Sequence, residues 1–143
     1  MRMRNRIFTA LHRAGVPVGP TYLLTIRGRR SGLPRTTPVA PVVVDGVRYV
    51  VQAYPNSDWV KNARAAGRGV LTRGRRAEAI DLVEVPPELR GAVLREFPRQ
   101  NPRGAGAFVR NGLVASTSPE DFAAAAGQVM LFRADHSNRD VTV

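Results

Sequence analysis

Hydrophobic positions along the chain fall mostly into short β-rich runs separated by glycine, proline and charge, with a few stretches at helical spacing. Near the start, Met3, Ile7, Leu11 and Ala14 recur at i, i+4, i+8 and i+11 while Arg2, Arg6 and Arg13 lie off that stripe. This predicts an amphipathic helix over 2–14, ended by Gly15 and Pro17. The run Y-L-L-T-I-R at 22–27 predicts a strand. Two further β-rich runs, 39–44 and 48–53, flank Val44-Asp45-Gly46-Val47, and Asp-Gly between such runs predicts a hairpin. Over 54–67 a turn becomes a helix, with Asn56 or Ser57 as N-cap and Gly67 as its stop. Strands follow at 70–72 and 77–85, joined by a basic turn, Arg73-Gly74-Arg75-Arg76. Pro86-Pro87-Glu88 opens a helix through about Phe97 with Leu89, Val93 and Phe97 as its buried stripe. Residues 98–106 hold two prolines and two glycines and read as a loop. Ser118-Pro119-Glu120-Asp121 resembles a capping box ahead of 122–126, a closing strand is predicted at 128–133, and the tail from about 135 is polar and expected to be loose.

These elements define an architecture. Six strands arranged largely as hairpins, with helices between them, predict an α+β chain built as a small antiparallel barrel with peripheral helices. At 143 residues the chain can bury roughly two thirds of its unfolded surface, which suits one core. A single domain over 1–143 is expected.

Composition narrows the chemistry. There is no cysteine, so disulfides, thiolate metal sites and thiol nucleophiles are excluded. No apolar run approaches the roughly 18 residues of a membrane span, and the start lacks the apolar core of a secretory signal. A cytoplasmic location is the expectation. The net charge of +11 is uneven: eight arginines precede Asp45 and no acidic residue does. Lys61 is the only lysine, so nearly all the basic groups are the planar, forked kind that suits phosphate and carboxylate. A G+C-rich coding sequence would also raise arginine over lysine, but it would not cluster it.

The densest cluster spans 28–38, G-R-R-S-G-L-P-R-T-T-P. Three arginines, three hydroxyls and two glycines without an acid describe an anion cradle, in which glycine lets N–H groups converge and guanidinium forks supply paired donors. The stretch joins strands and opens no helix, so it is neither the dinucleotide fingerprint nor the phosphate loop of nucleotide hydrolases. Two histidines, His12 and His136, lie near opposite ends. They leave no His-rich metal site and only a poor triad. If the chain is an enzyme, a bound organic cofactor supplies the difficult step. An anionic and flat one, flavin-like with a phosphate-bearing tail, would use the cradle together with Ala53 and Trp59. On spacing alone Trp59 suits a core anchor or a wall for a flat ligand.

The run L-L-T-x-x-G-R-R-S-G-x-P-R-T-T-P, then the V-D-G hairpin and S-D-W-V-K-N-A-R-A-A-G, resembles the deazaflavin-dependent nitroreductase and quinone reductase family. The resemblance covers about 22–85 and implies a split β-barrel that uses coenzyme F420. It assigns the coenzyme's phosphate and oligoglutamate tail to Arg29, Arg30, Ser31, Gly32, Arg35, Thr36 and Thr37. It assigns the flanks of the deazaflavin ring to Ala53, Tyr54, Asp58, Trp59 and Asn62. The implied reaction is hydride transfer from the reduced coenzyme to a quinone, nitro compound or activated alkene, with a small hydrophobic acceptor as partner and FMN as the second cofactor considered. Two departures stand out. The turn 54–57 is shorter than in many members and lacks their lysine, and no tyrosine follows Tyr54, so nitroimidazole reduction is not implied. Tyr54 remains the one nearby candidate to donate a proton.

Two other readings compete: a non-catalytic carrier of deazaflavin, haem or lipid on the same fold, and association with an anionic membrane or nucleic acid through the arginine-rich first third. The basic loop lacks interleaved aromatics, which counts against nucleic acid. The predicted 2–14 helix could touch a membrane or pack on the domain, and split barrels of this type often pair as homodimers.

Overall fold

The computed structural model describes residues 21–143. The predicted helix over 2–14, with His12, lies outside the described residues. The elements run β1 (Tyr22–Arg27), β2 (Pro34–Val39), β3 (Val42–Val44), β4 (Val47–Val51), α1 (Asp58–Ala66), β5 (Arg68–Arg73), β6 (Arg76–Glu84), α2 (Pro87–Leu94), α3 (Phe97–Gln100), α4 (Pro102–Arg110), α5 (Pro119–Ala124) and β7 (Leu131–His136). The strands form one curled antiparallel sheet in the order β2-β1-β5-β6-β7-β4-β3, an α+β split half-barrel.

Among the described residues seven strands are present where the sequence predicts six. The additional one is β2, whose residues Arg35, Thr36 and Thr37 were expected in a loop. It pairs with β1 from Tyr22↔Val39 to Arg27↔Pro34. Its sequence, P-R-T-T-P-V, does not alternate apolar and polar positions, and its two prolines suit the sheet edge, where a missing N–H breaks no ladder. The Asp-Gly hairpin forms as read: Asp45 and Gly46 carry φ of 52° and 77°, the double left-handed geometry of a tight hairpin turn.

Because neighbouring strand residues face opposite ways, adjacent positions supply two cores. Val50 and Phe132 pack with Leu24, Ile26, Val60 and Ala63 beneath α1, whereas Val51 and Leu131 pack with Phe97, Phe108 and Phe122 beneath α2 to α5. The three phenylalanines of the second core lie 4.7 Å (97–108), 5.1 Å (108–122) and 5.7 Å (97–122) apart, centroid to centroid. Gly69 lets β5 close on β1, since a Cβ there would stand 2.8 Å from the Thr25 carbonyl oxygen.

Other boundaries differ from expectation for local reasons. The 98–106 loop is replaced by α3 and α4: Pro102 takes the first helical position, and burial of Ala105 and Phe108 offsets the glycines within α4. In α2 the buried residues are Arg90, Val93 and Leu94, and Leu89 is 60% exposed. Arg90 is held inside by bonds to the carbonyls of Val85 (2.8 Å) and Ala126 (3.1 Å). The closing strand runs to His136, three residues beyond its predicted end, and after it Ser137 N–H donates to Ala79 O and Arg139 donates to Asp81 Oδ1. Ser118 caps α5 as expected, its Oγ accepting from Asp121 N–H at 3.0 Å.

Candidate functional site

A cleft of about 1070 Å³ opens between the β1–β2 hairpin and α1 on one side and α3–α4 on the other. Every residue assigned from the sequence except Gly32 lines it: Arg29, Arg30, Ser31, Arg35, Thr36, Thr37, Ala53, Tyr54, Asp58, Trp59 and Asn62. Gly32 stands in the same turn with φ of 72°, a conformation glycine adopts without strain.

The hairpin turn is built tightly. Gly28 N–H donates to Leu33 O at 2.8 Å, Gly32 N–H donates to Gly28 O at 3.0 Å, and Leu33 N–H donates to Ser31 Oγ at 3.1 Å. A Cβ on Gly28 would lie 3.0 Å from Ser31 Oγ and 3.2 Å from Leu33 O, so a side chain there would displace the turn. On the strands that carry it, Thr25 Oγ1 and Thr36 Oγ1 share a hydrogen bond of 2.9 Å.

The three arginines are not equivalent. Arg29 is anchored to α1: its backbone N–H (3.0 Å) and Nη1 (2.9 Å) both donate to Asn62 Oδ1, and Nη2 lies 3.4 Å from Asp58 Oδ1. Asn62 is only 4% exposed, so its carbonyl oxygen serves to orient Arg29. Arg30 and Arg35 are exposed and form no ion pair among the described residues. Their forks remain available to an anion, as the donor set of a phosphate site requires.

Trp59 anchors the α1 core and reaches the cleft. The half-buried ring tilts at 55° onto Phe132, centroids 5.7 Å apart, as a partner of the α1 core, and it also lines the cleft. Ser57 takes the N-cap position without a side-chain cap, its hydroxyl donating to Tyr54 O, and Asn56 turns through a left-handed φ of 56°. Gly67 ends α1 as expected, with φ of 69° and its N–H on Ala63 O. Tyr54 is 63% exposed at the rim.

The sequence assigns no individual residue to the opposite wall. Phe97, Gly104, Ala107 and Phe108 line the cleft from α3 and α4. The signal was the i, i+3, i+4 spacing of Gly104, Ala107 and Phe108 behind Pro102, obscured by the glycines. The wall is tied to the strand end facing it, because Asn111 Nδ2 donates to Ala53 O at 2.7 Å. Gln52 fixes that strand end to β7, its N–H donating to Met130 O (2.9 Å) and its Oε1 accepting from Met130 N–H (3.0 Å). Hydrogen bonds from Arg48 and then His136 hold Glu78 below the usual carboxylate range, and Arg64 does the same to Glu84 with help from Arg90.

The structure thus holds a cleft with a cationic polar end, an aromatic flank and an apolar wall, suited to a flat molecule with an anionic tail. Among the described residues no helix is long and apolar enough to cross a membrane. No match is found among curated proteins. Solved structures of similar fold include a domain-swapped dimer (TM-score 0.60, 18% identity, covering 92% of this chain and 96% of the other). They also include an F420-H2 dependent reductase, FDR-A (0.55, 16%, 82% and 95%), and HutZ, the heme storage protein from Vibrio cholerae (0.58, 12%, 97% and 93%). At these identities the likeness is one of fold. The family model of the F420H(2)-dependent quinone reductases matches residues 3–106, taking in the hairpin, α1 and most of α4. The chain belongs to the F420H(2)-dependent quinone reductase family and is a reductase that uses the reduced deazaflavin coenzyme.

Proposed function

We propose that the cleft binds F420 with its phosphate and oligoglutamate tail on the β1–β2 hairpin and its ring beside Ala53, Tyr54 and Trp59, and that the acceptor is a quinone. The observation that carries this reading is the polarity of one continuous cleft: arginines and hydroxyls at the hairpin, and Phe97, Gly104, Ala107 and Phe108 across from them. The coenzyme, when bound, supplies a hydride and a proton, so that the quinone takes up two electrons and two protons to become a quinol.

The chain's own contribution is positional. Arg30 and Arg35 bind the anionic part, Arg29 is pre-aimed by Asn62 and Asp58, and Trp59 with Ala53 orients a flat ring. Holding both reactants in one cleft raises their effective concentration, and no catalytic dyad is needed. Tyr54, at the rim, is the candidate to pass a proton to the reduced acceptor. The quinone reading is favoured by the family model, which is that of quinone reductases, and over a nitro compound because, among the described residues, the α3–α4 wall offers Phe97, Gly104, Ala107 and Phe108 and no polar side chain to orient a nitro group. A cytoplasmic homodimer fits this reading.

The test is anaerobic mixing of the protein with reduced F420 and menadione, following the return of oxidised coenzyme. Quinone-dependent oxidation supports the reading. Tight binding without turnover on any quinone would instead favour a carrier, and preference for FMN would move the cofactor assignment.

A further inference from the structure

The proposed function leaves open what limits the acceptor, and α4 carries an answer. This nine-residue helix has glycine at two interior positions, Gly104 and Gly106, although glycine is the poorest helix former after proline. Packing does not require glycine at 104. A Cβ built there would meet nothing closer than 3.8 Å, its neighbours being Asn101 Cβ and the edge of the Phe97 ring, which is ordinary contact. The consequence of the missing side chain therefore falls on the open side, where Gly104 and Ala107 line the cleft one helical turn apart. Behind them, Phe108 is 1% exposed and packs on Phe97 and Phe122, so the wall is backed by a filled core and cannot recede. Asn111, just beyond the helix, holds this wall to Ala53 at 2.7 Å, which fixes its distance from the proposed ring position.

We propose that α4 is the acceptor wall and that the absent side chain at Gly104, with the small one at Ala107, sets the largest ring system the enzyme reduces. This inference rests on the reading of the cleft as the coenzyme and quinone site. A hydrophobic pocket discriminates by fill. Each added methyl or methylene at the wall excludes acceptors that reach it and leaves smaller ones less affected.

The test compares wild type, Gly104→Ala and Gly104→Leu on menadione and p-benzoquinone. Two quantities are read: the ratio of kcat/KM for the two acceptors, and the equilibrium affinity for menadione, by Trp59 fluorescence, of protein saturated with oxidised F420. The larger substitution is expected to lower the menadione to benzoquinone ratio about tenfold or more, with a parallel loss of menadione affinity. Gly104→Ala, which the neighbouring atoms accommodate, moves both in the same direction by less and keeps the test readable if the leucine variant folds poorly. An unchanged ratio and unchanged menadione affinity in Gly104→Ala and in folded Gly104→Leu overturn the inference while leaving the cleft assignment intact. Failure of the wild type to bind F420, or to oxidise its reduced form with either quinone, overturns the assignment itself and the inference with it.

Discussion

Asn62 Oδ1 accepts two hydrogen bonds from one residue, Arg29, from its backbone N–H at 3.0 Å and from its Nη1 at 2.9 Å. One buried amide on α1 thereby fixes both the turn backbone and the guanidinium of the hairpin. The cleft's polar end is held by a contact between elements 33 residues apart in sequence.

Removing that amide is expected to loosen both. Asn62→Ala should lower unfolding free energy by about 1–3 kcal/mol, as a buried hydrogen-bonding group is lost and Arg29 is left without its acceptor. F420 affinity should fall about tenfold through the disordered arginine. Asn62→Asp, which keeps the acceptor oxygen, should recover part of the binding loss. Thermal unfolding and a coenzyme titration on the same samples check both effects.

Arg30 and Arg35 should behave oppositely to Asn62. Both are exposed and form no ion pair among the described residues, so alanine at either position should leave stability within about 0.5 kcal/mol. Each should nevertheless weaken F420 binding about 10- to 150-fold, the range of a charge-assisted hydrogen bond of about 1.5–3 kcal/mol. Calorimetric titration of each variant separates this from a folding defect.

Gly69, which does not itself line the cleft, tests the closure of the sheet. A Cβ there would stand 2.8 Å from Thr25 O and 3.1 Å from Ile26 Cγ1, and neither the backbone oxygen nor the buried isoleucine can move freely. Gly69→Ala should cost about 1–3 kcal/mol of stability through separation of β1 from β5. Denaturant unfolding provides the measurement.

Acid should weaken the fold through Glu84. It accepts from Arg64 Nε (2.9 Å) and Nη2 (2.7 Å), with Arg90 Nη2 at 3.7 Å, and these interactions place its folded pKa below the usual 4.5. The unfolded chain therefore binds the proton more readily. The contribution is fully present above the unfolded pKa and is lost as pH falls through the lowered folded value. Glu84→Gln should flatten the acid limb of a stability-against-pH curve below about pH 4.5, and because the pair is partly exposed the effect is modest.

What could be read from the sequence follows from where the physics is local. The Asp45-Gly46 turn, the Gly67 stop and the Ser118 cap each depend on a few adjacent residues, and each forms as expected. β2 was invisible because its register comes from pairing with β1: Pro34 and Pro38 argue against a strand everywhere except an edge. α4 was hidden by Gly104 and Gly106, whose local cost is offset by burying Ala105 and Phe108 in a core assembled from distant segments. The polar half of the cleft was legible because arginine, glycine and hydroxyl chemistry is concentrated in one stretch. The apolar half was not, since an apolar lining residue and an ordinary core residue look the same until the fold brings them to an opening.

The central claim is that the β1–β2 hairpin holds the anionic part of F420. The most direct measurement is a titration of oxidised F420 followed by Trp59 fluorescence, on the wild-type chain and on a variant with Arg29, Arg30 and Arg35 all changed to alanine. The account predicts saturable quenching in the wild type, and loss of most of the affinity in a variant whose unfolding shows it folded. Binding that survives the triple change, or a wild type that prefers FMN, would contradict it.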